Sequence, residues 1–187
     1  MKRGFSLVEL LIVVAIVALV GVIAIQGTNK STASVVIGVQ NPFNRGNASP
    51  YYPDATGYVM DTSGIISPET RAAIEAGCTA LEPLAQVAVV TVKTTAPLTD
   101  EQYGIKLAEK LGVGHKGKDD GILLWVATED RRIRIEVGRG AEAFMTDAKA
   151  GRILDEAVVP YLKQNKWDEG ILAGFNAIKK EIESHGK

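Results

Sequence analysis

The chain has 187 residues, a length that suits one domain plus an appendage. Its formal net charge of -1 and 6% aromatic content indicate neither a nucleic-acid surface nor a stacking platform for single strands. Cys78 is the only cysteine, which excludes an intramolecular disulfide and a thiolate zinc cluster.

Residues 1–4 form a short basic leader, and residues 5–26 an apolar run broken by Ser6, Glu9 and Gly21. At ~1.5 Å per residue a helix of this length reaches ~30 Å, the thickness of a bilayer's hydrocarbon core. Lys2 and Arg3 precede the run, so the N-terminus is expected to stay cytoplasmic and the remainder to be exported. The stretch that follows, IQGTNKSTAS, offers no small-residue cleavage site of the secretory kind. Glu9 is the one carboxylate in the run. A carboxylate in hydrocarbon costs roughly 3 kcal/mol by insertion scales, so it needs a partner or a purpose. In a filament of packed helices it can pair with the N-terminal amine of a neighbouring subunit. In an isolated anchor it can snorkel to the interface.

The stretch K-R-G-F-S-L-V-E-L-L-I-V-V-A-I resembles the signal of type IV prepilins and the related pseudopilins. The resemblance implies cleavage after Gly4, methylation of the new N-terminal Phe5, and a subunit-pairing role for Glu9. It implies identical or related pilin-like subunits as partners through the N-terminal helix. It also implies an inner-membrane location before assembly and a cell-surface or filament location after it. One departure is that QGTNKSTAS follows where many pilins continue as a long amphipathic helix.

Residues 27–56 shift to Gly, Asn, Ser, Thr and Pro and read as a linker, with a short strand expected at Val35 to Val39. Asn29-Lys30-Ser31 and Asn47-Ala48-Ser49 match the glycosylation acceptor pattern, which means little in a bacterium.

Residues 57–187 read as an α/β domain. Ser67, with Pro68 and Glu69 behind it, opens a helix to about Glu82, with Ile74, Cys78 and Leu81 on one stripe. QVAVVTV, residues 86–92, is a buried strand. Thr99 or Asp100 caps a second helix through Leu111, which Gly112 and Gly114 end. ILLWVAT, residues 122–128, is another buried strand. Strict alternation in RIRIEV puts Ile133, Ile135 and Val137 on one face and Arg132, Arg134 and Glu136 on an exposed one, in a strand antiparallel to its predecessor. Thr146 caps a helix to about Gln164, broken or bent near Pro160, and a last helix runs from Asp168 to about Ser184. The expected architecture is a small mixed sheet with helices on both faces.

The stretches VMDTSGIIS, GVGHKGKDDGILLWVA, DRRIRIEVGRGAE and PYLKQNKWDEGI, in that order, resemble the TPM domain family from about Gly57 to Ile182. The resemblance implies a Rossmann-like α/β/α sandwich. A phosphatase label, calcium binding and partner-protein roles have all been attached to that family. Arg139 stands where the family often has an aromatic residue.

Asp61, Asp119, Asp120 and Asp147 all flank element ends. If the loops converge, these carboxylates form an oxygen-rich Ca2+ site. The alternative is that Asp147 stabilises a helix N-terminus and Asp119-Asp120-Gly121 is a turn. Arg131, Arg132, Arg134 and Arg139 could meet the charge of a phosphoester, but no Cys-x5-Arg loop, D-x-D pair or Walker glycine loop accompanies them. His115 and His185 lack partners at ligand or triad spacing and are expected to be solvated. Cys78 is expected as an inert core thiol, and Gly112-Val113-Gly114 as a helix stop. The expected function is a pilin-like subunit displaying an extracytoplasmic, cation- and partner-binding domain. The alternative is a membrane-anchored, metal-dependent phosphatase-like enzyme.

Overall fold

A computed structural model describes residues 49–185. The leader, the apolar run with Gly4, Phe5 and Glu9, and the linker up to residue 48 lie outside the described residues. Within them the elements are β1 (Val59–Asp61), α1 (Pro68–Leu81), β2 (Gln86–Val92), α2 (Asp100–Leu111), β3 (Gly121–Ala127), β4 (Arg132–Val137), α3 (Asp147–Ile153), α4 (Val159–Leu162) and α5 (Trp167–His185).

The caps are those that the sequence calls for. Ser67 accepts from the Thr70 amide at 3.1 Å, and Pro68 opens α1. Thr99 and Gln102 close a reciprocal capping box on α2, and Gly112 ends it at φ 63°, in the left-handed region open to glycine. The helix expected from Thr146 to Gln164, broken or bent near Pro160, is three pieces. Between α3 and α4 the turn Leu154–Val158 is a π-helix. Pro160 explains it: the ring has no N–H to give and collides with the carbonyl one turn back, so the ladder loosens ahead of it.

The four strands form one sheet in the order β1-β2-β3-β4. The first two pairings are parallel and β3–β4 is antiparallel, with Ile122 opposite Val137 and Ala127 opposite Arg132. Alternation along the buried strands divides the core in two. Val87, Val89, Ile122, Leu124 and Val126 face α1 and α5, where Ile74, Cys78, Leu81, Phe175 and Ile178 pack. Ala88, Val90, Leu123, Trp125 and Ala127 face α2 through Tyr103 and Leu107. Two successive parallel crossovers therefore step the same way across the sheet but lie on opposite faces. One of them must be left-handed, against the usual preference. The mixed sheet and its two helical layers are as expected; this connectivity departs from a doubly wound Rossmann order, in which helices change face because the strand order reverses.

Each sheet edge is treated differently. The outer side of the short β1 is covered by α1: Glu75 accepts from the Val59 amide at 2.9 Å and the Tyr58 amide at 3.2 Å, while Arg71 donates to the Val59 carbonyl at 2.6 Å. β4 is the other edge, and it carries Arg132 and Arg134, charges that blunt strand addition. The packed structure starts before the expected boundary at Gly57. Tyr52 stacks on Tyr103 with centroids 5.0 Å apart, and Tyr103 meets Trp125 edge-on at 5.5 Å.

Candidate functional site

Chemistry-bearing side chains gather at the two ends of the sheet. At the carboxyl end, the chain leaving β1 goes to one face and the chain leaving β2 goes to the other. Such a divergence opens a crevice beyond the strand ends, where open α/β sheets commonly place ligands. Asp61 ends β1 there. Its Oδ1 accepts from the amides of Gly64 at 3.0 Å and Ile65 at 3.2 Å, and from the Thr91 hydroxyl; Oδ2 accepts from the Ile66 amide at 3.0 Å. The carboxylate thus folds the loop into α1 around itself. Asp130 treats the loop after β2 in the same way, accepting from the Thr95 amide at 2.7 Å and the Thr94 hydroxyl at 2.9 Å. Hydroxyls lie beside these clamps: Thr62 donates to the Thr91 carbonyl, and the Ser63 and Thr128 oxygens lie 3.4 Å apart.

At the amino end of β3, Asp120 is buried, with its side chain 8% exposed. Its carboxylate accepts from the His115 amide at 2.8 Å and meets His115 Nδ1 at 2.9 Å. Burial pushes the Asp120 carboxyl up, but the His115 amide and ring pull it down further, so its pKa lies below the ordinary value. His115 Nε2 faces Glu82 at 3.7 Å. The expectation of a free, solvated His115 is therefore corrected. The loop bends back through Gly114 and Gly117, both at positive φ, and this turns a five-residue separation into a contact. His185, by contrast, tilts against Phe144 with centroids 5.1 Å apart.

Asp119 takes φ 53°, and its carbonyl accepts from the Gly140 amide at 2.9 Å. A Cβ on Gly140 would sit 1.9 Å from the Lys118 carbonyl oxygen. The G-R-G turn after β4 thus closes on the loop before β3 because its glycines leave room. Beside this seam lies a cavity of about 450 Å³, lined among others by Ile105, Glu109, Leu123, Glu136 and Arg139. Glu136 was expected on an exposed face, but α2 covers it at Gly104, where an added Cβ would come within 1.9 Å of Oε1. Burial raises its pKa, against the pull of Arg134 at 2.6 Å and of the Trp125 indole N–H. Arg132 pairs with Asp100 at 3.5 Å, and Arg131 sits in the turn at φ 54°.

The four aspartates expected to share a cation are not brought together. Asp61 lies level with Thr91 and hence with Val126, whereas Asp120 precedes Gly121. Six residues of strand separate these levels, ~20 Å at ~3.3 Å each. Asp147 is exposed in the first turn of α3, where Thr146 accepts from the Lys149 amide. Among the described residues no three of His, Cys, Asp and Glu converge to hold a metal ion. Cys78 is fully buried, and burial, then Glu75 and Glu82, push its thiol up to about 12, as an inert core cysteine requires.

The sheet, its two helical layers and the clamped loops define an α/β domain of the kind seen in solved bacterial structures. The solution NMR structure of the N-terminal domain of a protein from P. gingivalis is similar, with a TM-score of 0.65 and 26% identity over 70% of this chain and 85% of that one. The N-terminal domain of the cg2496 protein from Corynebacterium glutamicum shares the fold at a TM-score of 0.54 and 19% identity, over 73% of this chain and 84% of that one. So does the BA42 protein from Bizionia argentinensis, at 0.51 and 17%, over 66% and 86%. No curated protein matches the chain. Residues 59–181 match the TPM domain, and the chain belongs to that family. Residues 1–25 match the prokaryotic N-terminal methylation motif.

Proposed function

We propose that the chain is a pilin-like subunit that holds its TPM domain outside the cytoplasm as a partner-binding head. The observation that carries this reading is the methylation motif at residues 1–25, ahead of one TPM domain in the same chain. Glu9 supports assembly over mere anchoring. A plain anchor gains nothing from a carboxylate in hydrocarbon, whereas a filament core offers it an amine. The TPM domain supplies a head whose loops are held rigidly by Asp61, Asp130 and Asp120. Rigid loops cost little to order on binding, which favours a recognition surface. The reading as a metal-dependent phosphatase has less support, because Arg132 and Arg134 are engaged by Asp100 and Glu136.

Mass spectrometry of sheared surface material tests the proposal. The expected result is this chain, starting at a methylated Phe5, in the filament fraction. The Glu9→Leu variant is expected in the membrane but not in that fraction. Loss of the chain from sheared material in the wild type, or an N-terminus still at Met1, would overturn it.

A further inference from the structure

His115 lies between two carboxylates. On one side Asp120 engages Nδ1 at 2.9 and 3.0 Å. An ionised carboxylate only accepts, so the ring proton belongs on Nδ1 and the neutral ring presents a bare lone pair at Nε2. On the other side, Glu82 Oε1, which also accepts from the Gln86 side-chain amide at 3.2 Å, stands 3.7 Å from that lone pair. Its second oxygen, Oε2, is buried, and the Tyr58 hydroxyl sits by the same carboxylate. With the ring neutral, two acceptors thus face each other across a gap too long for a hydrogen bond. Such an arrangement calls for a cation.

We propose that Glu82 and His115 form an open, two-donor site for a borderline divalent metal of the zinc class, with Asp120 as the positioning carboxylate behind the imidazole. Zinc–nitrogen and zinc–oxygen distances of about 2.0–2.2 Å span the gap from its two sides. The carboxylate–imidazole–metal order is the one that fixes ring tautomer and raises ligand basicity. Imidazole selects zinc-like ions over calcium and magnesium, which prefer all-oxygen shells. His115 is 27% exposed and Glu82 36%, so an ion can enter and water can complete its shell. The bound metal would tie the end of α1, where Glu82 is the C-cap, to the loop before β3. It shares no ligand with Asp61 or Asp147.

The test is a Zn2+ titration of untagged full-length protein in detergent micelles at slightly alkaline pH, read by calorimetry and by amide NMR shifts. One saturable equivalent is expected, with shifts centred on residues 82 and 113–120. Glu82→Gln and His115→Gln should each weaken binding at least about tenfold, and Asp120→Asn by about tenfold through the ring it orients. His185→Ala should leave binding intact, and equal Ca2+ or Mg2+ should not compete. The wild-type shift map stands even if a variant folds poorly. No saturable Zn2+ binding, shifts centred elsewhere, or full binding in both Gln variants would overturn the site.

Discussion

Asp168, at the start of α5, caps α1 from 101 residues away: its Oδ1 accepts from the Ser67 amide at 2.9 Å. Oδ2 accepts from the Thr70 hydroxyl at 3.0 Å. One carboxylate therefore holds the N-cap residue's amide and a first-turn hydroxyl, beside the positive end of the helix, and pins the two helices on the same sheet face together. Asp168→Ala should cost about 1–3 kcal/mol, because Thr70 is buried and its hydroxyl would be left without a partner. Urea unfolding of the fragment from Ser49 measures it; a change under about 0.5 kcal/mol would show the pair to be dispensable.

That bond marks the boundary of what could be read in advance. Ser67, Thr99 and Thr146 announced their helices because a cap is a local event, settled within four residues. The strands were legible because valine and isoleucine runs have nowhere to go but the core. Glu136 was misplaced because its face depends on what α2 leaves open, and only Gly104 opposite it leaves space. His115 looked solitary because its partner is reached through two positive-φ glycines, which periodicity does not register. The aspartates looked convergent because nothing in a linear sequence says which end of the sheet a loop occupies. The unusual crossover hand was likewise invisible, since it is a property of which face each helix chooses.

The segment before β1 belongs to the fold. The Tyr103 hydroxyl donates to the Tyr51 carbonyl at 2.7 Å, and Lys110 reaches the Tyr52 carbonyl at 2.8 Å. Tyr103 is fully buried beneath Tyr52. A fragment starting at Gly57 should therefore be less stable than one starting at Ser49 by about 1–3 kcal/mol, from one aromatic pair and one buried hydroxyl bond. Equal unfolding midpoints and slopes would mean that the tyrosine strap is passive.

Two carboxylates should impose opposite pH slopes. Glu136 has a raised pKa in the fold, so it holds its proton when the unfolded chain has released it. Its contribution is present below the ordinary glutamate value and is lost as pH rises through the folded one. Asp120 has a lowered pKa, so its contribution is present above the ordinary aspartate value and lost as pH falls through the folded one. Unfolding free energies from about pH 3 to pH 7, a range bracketing ordinary carboxylates near 4, should show this by difference. Wild type minus Glu136→Gln should fall with pH, and wild type minus Asp120→Asn should rise. Parallel curves for all three would refute both assignments.

Asp61 and Asp120 should behave as strangers. They sit at opposite ends of the sheet, ~20 Å apart by strand rise, and share no partner. Each secures its own loop, so Asp61→Asn and Asp120→Asn should each destabilise by about 1–3 kcal/mol, the cost of leaving half-buried donors poorly answered. Mutations this far apart usually add to within about 0.5 kcal/mol. A calcium ion shared by the two would break that rule, because removing either ligand would already abolish the stabilisation that both support. The double variant should therefore lose the sum of the single losses, in calcium and in chelator alike. A coupling above about 1 kcal/mol that appears only with calcium present would instead show that the two aspartates serve one ion, and that the loops around them rearrange to reach it.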